Sequence, residues 1–361
     1  MNFKKMAALS MAALMALSLA ACGNGTTSTP AASGSGETEA GTINVGLVLG
    51  TGGLGDKNFN DMAYDGITRA QEELGITFDY LEPETASDYL PDLRIMAESG
   101  EYDLIIGLGS DQGDAMTEII EDFPDQKFSH IDSSLDLDTI SCVKTKWQEQ
   151  TFLTGVMAGL GTLSDMEFAN EDNKIGVILG QDNPALRKGV VGYIAGAKYV
   201  NPDVEVIEGN VDSFNDPAKG KEIALSMYNQ GVDFIQAIAG ASGMGIYTCS
   251  EETGRYSFGV GANVNYLNPD NIVATAARKV DEMVYNEVKA VIDGTWSGGV
   301  HITGLAEGAV GYDDAQSNVV VPDDIKAAIE EIRQQIMDGT LVPPESMDEI
   351  DSWVAANQYS K

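Results

Sequence analysis

The chain has 361 residues, with 21 Lys+Arg against 56 Asp+Glu and a formal charge of −35. That excess argues against nucleic acid and anionic lipid surfaces as partners, since both are held by clustered Lys and Arg. Two His and three Cys, at 22, 142 and 249, offer no His-rich or zinc-type ligand spacing, so no metal or other cofactor is expected. An apolar share of 43% is ample for the core of one large or two medium domains.

The N-terminus opens with Lys4 and Lys5 and a mostly apolar run from Met6 to Ala21. The run is shorter than the roughly 20 residues of a membrane span, and this is the pattern of an export signal over residues 1–21. Leu19-Ala20-Ala21-Cys22 resembles the bacterial lipobox, which implies that Cys22 becomes the first mature residue and carries lipid. A covalent lipid would hold the protein on the extracytoplasmic face of the cell membrane, at about 0.8 kcal/mol per buried methylene. Residues 22–41 are small and polar with almost nothing to bury, and read as a flexible tether. Outside the cell Cys142 and Cys249 could pair, which their geometry must decide.

From Ile43 short apolar runs alternate with amphipathic stretches. Strands are predicted at 43–49, 77–81, 104–108, 127–131 and 141–146, with helices at about 60–74, 89–98 and 115–122 between them. The rhythm restarts with strands at 174–179, 204–207, 233–238 and 256–260, separated by helices at 185–200, 217–229 and 245–253. Strands alternating with helices indicate parallel sheets, and two successive sets indicate two doubly wound lobes. The remaining elements are a strand and long helix over 271–293, a strand at 301–305 and a helix at 322–338. They suit a chain that crosses between lobes more than once. The expected fold is therefore α/β: a type I periplasmic-binding-protein-like clamshell of two Rossmann-like lobes with three hinge crossovers. One lobe is expected to hold 42–145 plus about 267–298, the other 146–266 plus about 299–361. The ligand should sit between strand C-termini of both lobes.

The first such loop is Gly50-Thr51-Gly52-Gly53-Leu54-Gly55-Asp56-Lys57-Asn58-Phe59-Asn60. It lacks Gly-Lys-Ser/Thr and is followed by acids, which disfavours a phosphate cradle. Asp56, Asn58 and Asn60 could bond sugar hydroxyls or base edges, and Phe59 offers a stacking face. Equally, Asn58 or Asn60 could cap the following helix with Phe59 as its hydrophobic staple.

Gly52–Asp61 followed by Ala63-Tyr64-Asp65-Gly66 resembles the signature of the basic membrane protein family, the nucleoside-binding lipoproteins of ABC importers. The likeness continues at 123–132, 148–155, 192–202, 213–219 and 239–245, and covers about Ile43 to Pro343. It implies a purine nucleoside with its base between Phe59 and Phe214. Asn60 and Asp132 would meet polar groups of base or sugar, with Asp111 a weaker candidate, and Gly240 and Gly243 would let backbone amides approach. It also implies delivery to a permease and its ATPase, by a protein expected to act as a monomer. One departure stands out: family members usually carry Gly-Val-Asp-x-Asp-Gln where this chain has Gly259-Val260-Gly261-Ala262-Asn263-Val264. An acid that would hold ribose is replaced by Gly261, so Asn263 or Asn265 takes over or the ligand is a free base, deoxynucleoside or sugar. The pair at 278–279, Arg then Lys, is likewise shifted or altered from the family's Lys-Arg.

No Ser-His-Asp or Cys-His arrangement is legible, so catalysis is not expected; a nucleoside hydrolase using Asp56 and Asp132 is the enzyme alternative. A surface sensory lipoprotein is the third.

Overall fold

The computed structural model describes residues 42–357 and Tyr359. The signal, Cys22 and the tether lie outside the described residues. Strand β1 (Asn44–Val48) leads through α1 (Phe59–Leu74), β2 (Thr77–Leu81), α2 (Tyr89–Ser99), β3 (Leu104–Leu108), α3 (Gly113–Asp122) and β4 (Phe128–Ile131) to β5 (Ser141–Thr145). Helix α4 (Trp147–Gly161) then carries the chain into a second set. This runs β6 (Lys174–Leu179), α5 (Pro184–Val200), β7 (Glu205–Asn210), α6 (Pro217–Tyr228), β8 (Val232–Ile238), α7 (Gly243–Thr253), β9 (Tyr256–Gly261) and β10 (Ile272–Arg278). The tail adds α8 (Val280–Ile292), β11 (Gly299–Thr303), β12 (Val310–Asp313), α9 (Asp323–Met337) and α10 (Ile350–Ala356).

The strands form two six-stranded sheets, ordered β11-β5-β4-β3-β1-β2 and β12-β10-β9-β8-β6-β7. The first is parallel throughout, and in the second only β12 runs antiparallel, against β10. Central strands β3, β8 and β9 are buried along their whole length, as expected where helices cover both faces of a parallel sheet. Helix α8 returns to the first sheet and packs on α1, with Ala63, Ile67, Val280, Met283, Val284 and Val288 in one core. There Arg69 holds Glu282 through two hydrogen bonds of 3.0 and 2.9 Å.

The lobe boundaries differ from those expected. Strand β10 pairs with β9 in the second sheet, so the chain returns at Lys279 and not near 267. Strand β11 pairs with β5 in the first sheet, so the last crossing follows Thr303 and not residue 298. A strand followed by a helix over 271–293 reads locally as one unit, but the chain changes lobe inside that strand–helix connection. Cys142 in β5 and Cys249 in α7 are buried and free.

Helix α4 was not legible. Every residue of it except Leu160 is buried, so it has no polar face and no amphipathic period to detect. Several of its polar groups are met internally: Gln150 Nε2 donates to Ala276 O at 2.8 Å, and Thr154 Oγ1 to Gln236 Oε1 at 2.7 Å. It meets α5 backbone to backbone. A Cβ on Gly155 would fall 2.1 Å from Tyr193 O, and one on Gly196 2.1 Å from Phe152 O. Among the described residues no helix is long and apolar enough to cross a membrane.

Gly155→Ala separates two effects of opposite sign. Helix propensity alone gains about 1 kcal/mol, whereas overpacking the α4–α5 contact costs about 1–3 kcal/mol or more. We expect a net loss of up to about 2 kcal/mol in urea unfolding; a gain would show that the helices are not in contact there.

Candidate ligand cleft

Loops at the C-terminal ends of β1, β3 and β4 in one lobe, and of β6, β7, β8, β9 and β10 in the other, converge on a cavity of about 260 Å³. Of the residues expected from sequence, Asp56, Asn58, Phe59, Asn60, Asp111, Asp132, Phe214 and Gly240 line it. Gly243 and Asn263 do not. Gly243 is the first residue of α7 and faces the Tyr247 ring, and Asn263 is turned to its own loop, donating to Ala315 O at 3.0 Å and accepting from Asn265 N at 2.9 Å.

The β1–α1 loop is built around Asp56. Its carboxylate accepts from the backbone N of Asn58 (2.8 Å), Asn60 (3.0 Å) and Asp61 (3.2 Å), and from Asn60 Nδ2 (3.1 Å). Asn60 Oδ1 in turn accepts from Gly50 N at 2.8 Å. Asp56 thus satisfies the first amides of α1 and sits where the helix dipole favours an anion. Asp56 and Asn60 therefore hold the loop together, and neither Asn58 nor Asn60 supplies the cap that a local reading allows: Asn58, at the N-cap position, makes no side-chain cap bond. Instead its Oδ1 reaches the other lobe and accepts from Ala262 N at 3.2 Å.

That bond accounts for Gly261. With φ +86 this residue is in the left-handed region, and a Cβ on it would fall 1.8 Å from Asn58 Oδ1. The Asn58 amide occupies the space that a side chain on residue 261 would need.

On the first lobe Phe59 packs against the core at its edge, and on the second Phe214 lies against Gly180 and Gly240, where a Cβ would fall 2.5 and 3.4 Å from its Cδ1. Asp111 Oδ2 receives Tyr89 OH at 2.5 Å, and that hydroxyl also accepts from Thr51 N at 3.2 Å. Burial first, and the neighbouring Asp111 second, push the Tyr89 phenol well above its ordinary pKa, so it stays protonated and donating.

Three lining residues carry more than local sequence suggested. Trp147 Nε1 donates to Asp132 Oδ1 at 3.0 Å, and Arg278 Nη1 lies 2.9 Å from the same oxygen but off the hydrogen-bond line. The guanidinium carbon sits 4.2 Å from the centre of the Trp147 ring and 4.9 Å from that of Phe59, both within cation–π range. Asn183 caps α5 by accepting from Leu186 N at 3.0 Å, and lines the cavity beside Phe214. Trp147 and Arg278 stand at two of the crossings, so only the folded hinge brings them to Asp132. The signal available was the basic pair at 278–279.

Below Asp132, His130 is fully buried between Gly109 O (2.7 Å from Nε2) and Ser133 Oγ (2.9 Å from Nδ1). Desolvation pushes its pKa below the ordinary value, which fixes a neutral ring that donates to the carbonyl and accepts from the hydroxyl.

The sequence profile of a family described as "ABC transporter substrate-binding protein PnrA-like" matches residues 43–346. The chain belongs to this family. A lipoprotein of Pyrococcus abyssi, described as uncharacterized, is 34% identical over 320 residues, 85% of this chain and 76% of that protein. Basic membrane protein A2 of Borrelia garinii subsp. bavariensis is 29% identical over 333 residues, covering 89% and 94%. A solved ABC transporter solute-binding protein of Aeropyrum pernix K1 superposes with a TM-score of 0.76 at 27% identity, over 87% of this chain and 98% of that one. The fold of this PnrA-like protein is thus the two-lobed type I periplasmic-binding-protein fold, and its class is substrate-binding protein of ABC transporters.

Two predictions follow from this PnrA-like cleft. Gly261→Ala and Asn58→Ala should each lower the unfolding free energy, the first by about 1–2 kcal/mol from positive-φ strain and the lost cross-lobe bond. The double variant should cost less than their sum, because removing the Asn58 amide clears the space; strict additivity would show that the two positions do not meet. The unfolded chain takes up a proton at His130 near pH 6.5, whereas the folded chain resists it. Stability should therefore fall as pH drops through this range, by up to about 1.4 kcal/mol per pH unit. His130→Gln should remove that component, so the stability gap between wild type and variant narrows from pH 7 to pH 5.

Proposed function

We propose that this protein captures a nucleoside outside the cell and delivers it to the permease and ATPase of an ABC importer, held to the membrane by lipid on Cys22. It acts as a monomer and leaves the ligand unchanged. The observation that carries the reading is a pair of aromatic rings, Phe59 and Phe214, brought from opposite lobes to one cavity whose rim supplies Asp111, Asp132 and Arg278. Rings on both sides suit a flat heterocycle, each stack contributing about 1–3 kcal/mol, and a purine offers the larger face. A cavity of about 260 Å³ suits one small molecule. The charge balance agrees, because a nucleoside lacks the phosphate that a strongly acidic chain repels. The loop at Gly261 favours one variant of the reading: with no acid there to hold adjacent hydroxyls, a free base or deoxynucleoside is the second choice.

Calorimetric titration with nucleosides, deoxynucleosides, bases and sugars tests this. A purine nucleoside should bind at micromolar or tighter Kd, and Phe59→Ala should weaken it about 10- to 100-fold. Binding of sugars with no base-containing compound would remove the nucleoside claim. Release of free base from a bound nucleoside would show an enzyme.

A further inference from the structure

Asn58 stands at the N-cap position of α1, where an Asn ordinarily accepts from an amide of the first helical turn. It makes no such bond, because the Asp56 carboxylate already takes the backbone N of Asn58, Asn60 and Asp61. The side chain is thereby released from its own helix. It turns to the other lobe, where its Oδ1 accepts from Ala262 N at 3.2 Å, a partner 204 residues away in sequence. Both ends of this bond are prepared for it. Asp56 fixes the loop that carries Asn58, so little freedom is lost when the bond forms. Ala262 directly follows β9, a strand buried along its whole length, which holds the donor in place. Gly261, standing where an acid was expected from sequence, leaves the space that the Asn58 amide fills: a Cβ there would fall 1.8 Å from Oδ1. Neither Asn58 nor Ala262 belongs to a crossing, so the bond forms when the strand ends of the two lobes meet and breaks when they part.

We propose that Asn58 is a positioning residue for closure: with Gly261 it makes a latch of protein groups alone, which holds the lobes together and slows release of whatever the cleft contains. The inference goes beyond the nucleoside reading and does not need it, because donor and acceptor both belong to the chain. One net hydrogen bond shifts a closed-to-open ratio by about three- to tenfold. The shift acts on the empty and the occupied protein alike, so its size is independent of the ligand.

The test uses the full chain in detergent, spin-labelled through Ala86→Cys in the first lobe and Ala218→Cys in the second. Both positions are exposed, whereas Cys142 and Cys249 are buried. Double electron–electron resonance then reads the lobe separation without ligand. Asn58→Ala should lower the closed-to-open ratio about three- to tenfold. Gly261→Ala should do the same, by pushing the Asn58 amide off Ala262. In the Asn58→Ala background, Gly261→Ala should leave the ratio where it is, since no amide remains to be displaced. A merely structural Asn58 would lower stability without moving the ratio, and an unmoved ratio overturns the proposal. Opening that adds in the double variant overturns it too. Release of adenosine, guanosine and uridine, followed by stopped flow, should quicken in Asn58→Ala by one common factor. A change confined to one nucleoside would make Asn58 a ligand contact and overturn the latch. Should the variants fail to fold, hydrogen exchange of the ligand-free wild type decides alone. The Ala262 amide should exchange at least about fivefold more slowly than an unstructured amide, and exchange at the unstructured rate overturns the proposal. If none of the three nucleosides binds, the nucleoside reading fails, while the ligand-free measurements still decide the latch.

Discussion

The cleft depends on three chain crossings that must pass between two parallel sheets without leaving buried backbone unpaired. The structure meets this by bonding the crossings to one another. Lys146 N donates to Thr303 O at 2.8 Å, joining the first crossing to the third, and Lys279 N donates to Ala309 O at 2.9 Å, joining the second to the third. Glu149, buried at the start of α4, accepts from Leu305 N at 2.8 Å and pairs with Lys146 at 3.1 Å. Because these bonds fix where each crossing begins, they also fix where Trp147 and Arg278 point. The Asp132 cluster is therefore as much a product of the hinge as of the ligand loops.

Charge works differently at the surface and in the cleft. Across the chain the excess of acids is solvated, gives solubility and self-repulsion, and says little about the ligand beyond disfavouring anions. In the cavity one cation, Arg278, faces Asp132 in a site shielded from water, where electrostatic interactions are stronger and unmatched groups cost more. The Asn58–Ala262 bond adds a neutral contact between lobes at the cleft, and Gly261 leaves room for it.

Much of this was legible because parallel sheets impose simple patterns. Apolar runs such as Leu104–Leu108 and Val232–Ile238 are buried on both faces and stand out between amphipathic helices. Phe59 and Phe214 belong to motif strings that follow strands, and both reach the cavity. Local reading failed where a residue's partner is distant in sequence. Helix α4 is wrapped by protein on all sides, so its composition carries no period. Asp56 and Asn58 are two residues apart and chemically alike, yet one builds its own loop while the other crosses to the second lobe. Gly243 and Asn263 belong to site-like strings but are turned away, by the start of a helix and by a loop folded on Ala315.

By itself the sequence determined two doubly wound lobes, their joining by several crossings, the strand-end loops that line the cavity, and the family. All of these follow from periodicities of a few residues and from contiguous motifs. Only the tertiary structure decided where the crossings fall, what replaces the absent acid at 261, and that Arg278, Trp147 and Asp132 form one cluster. Those depend on which strand pairs with which and on side chains meeting across more than a hundred residues of chain, and no local pattern encodes such a meeting.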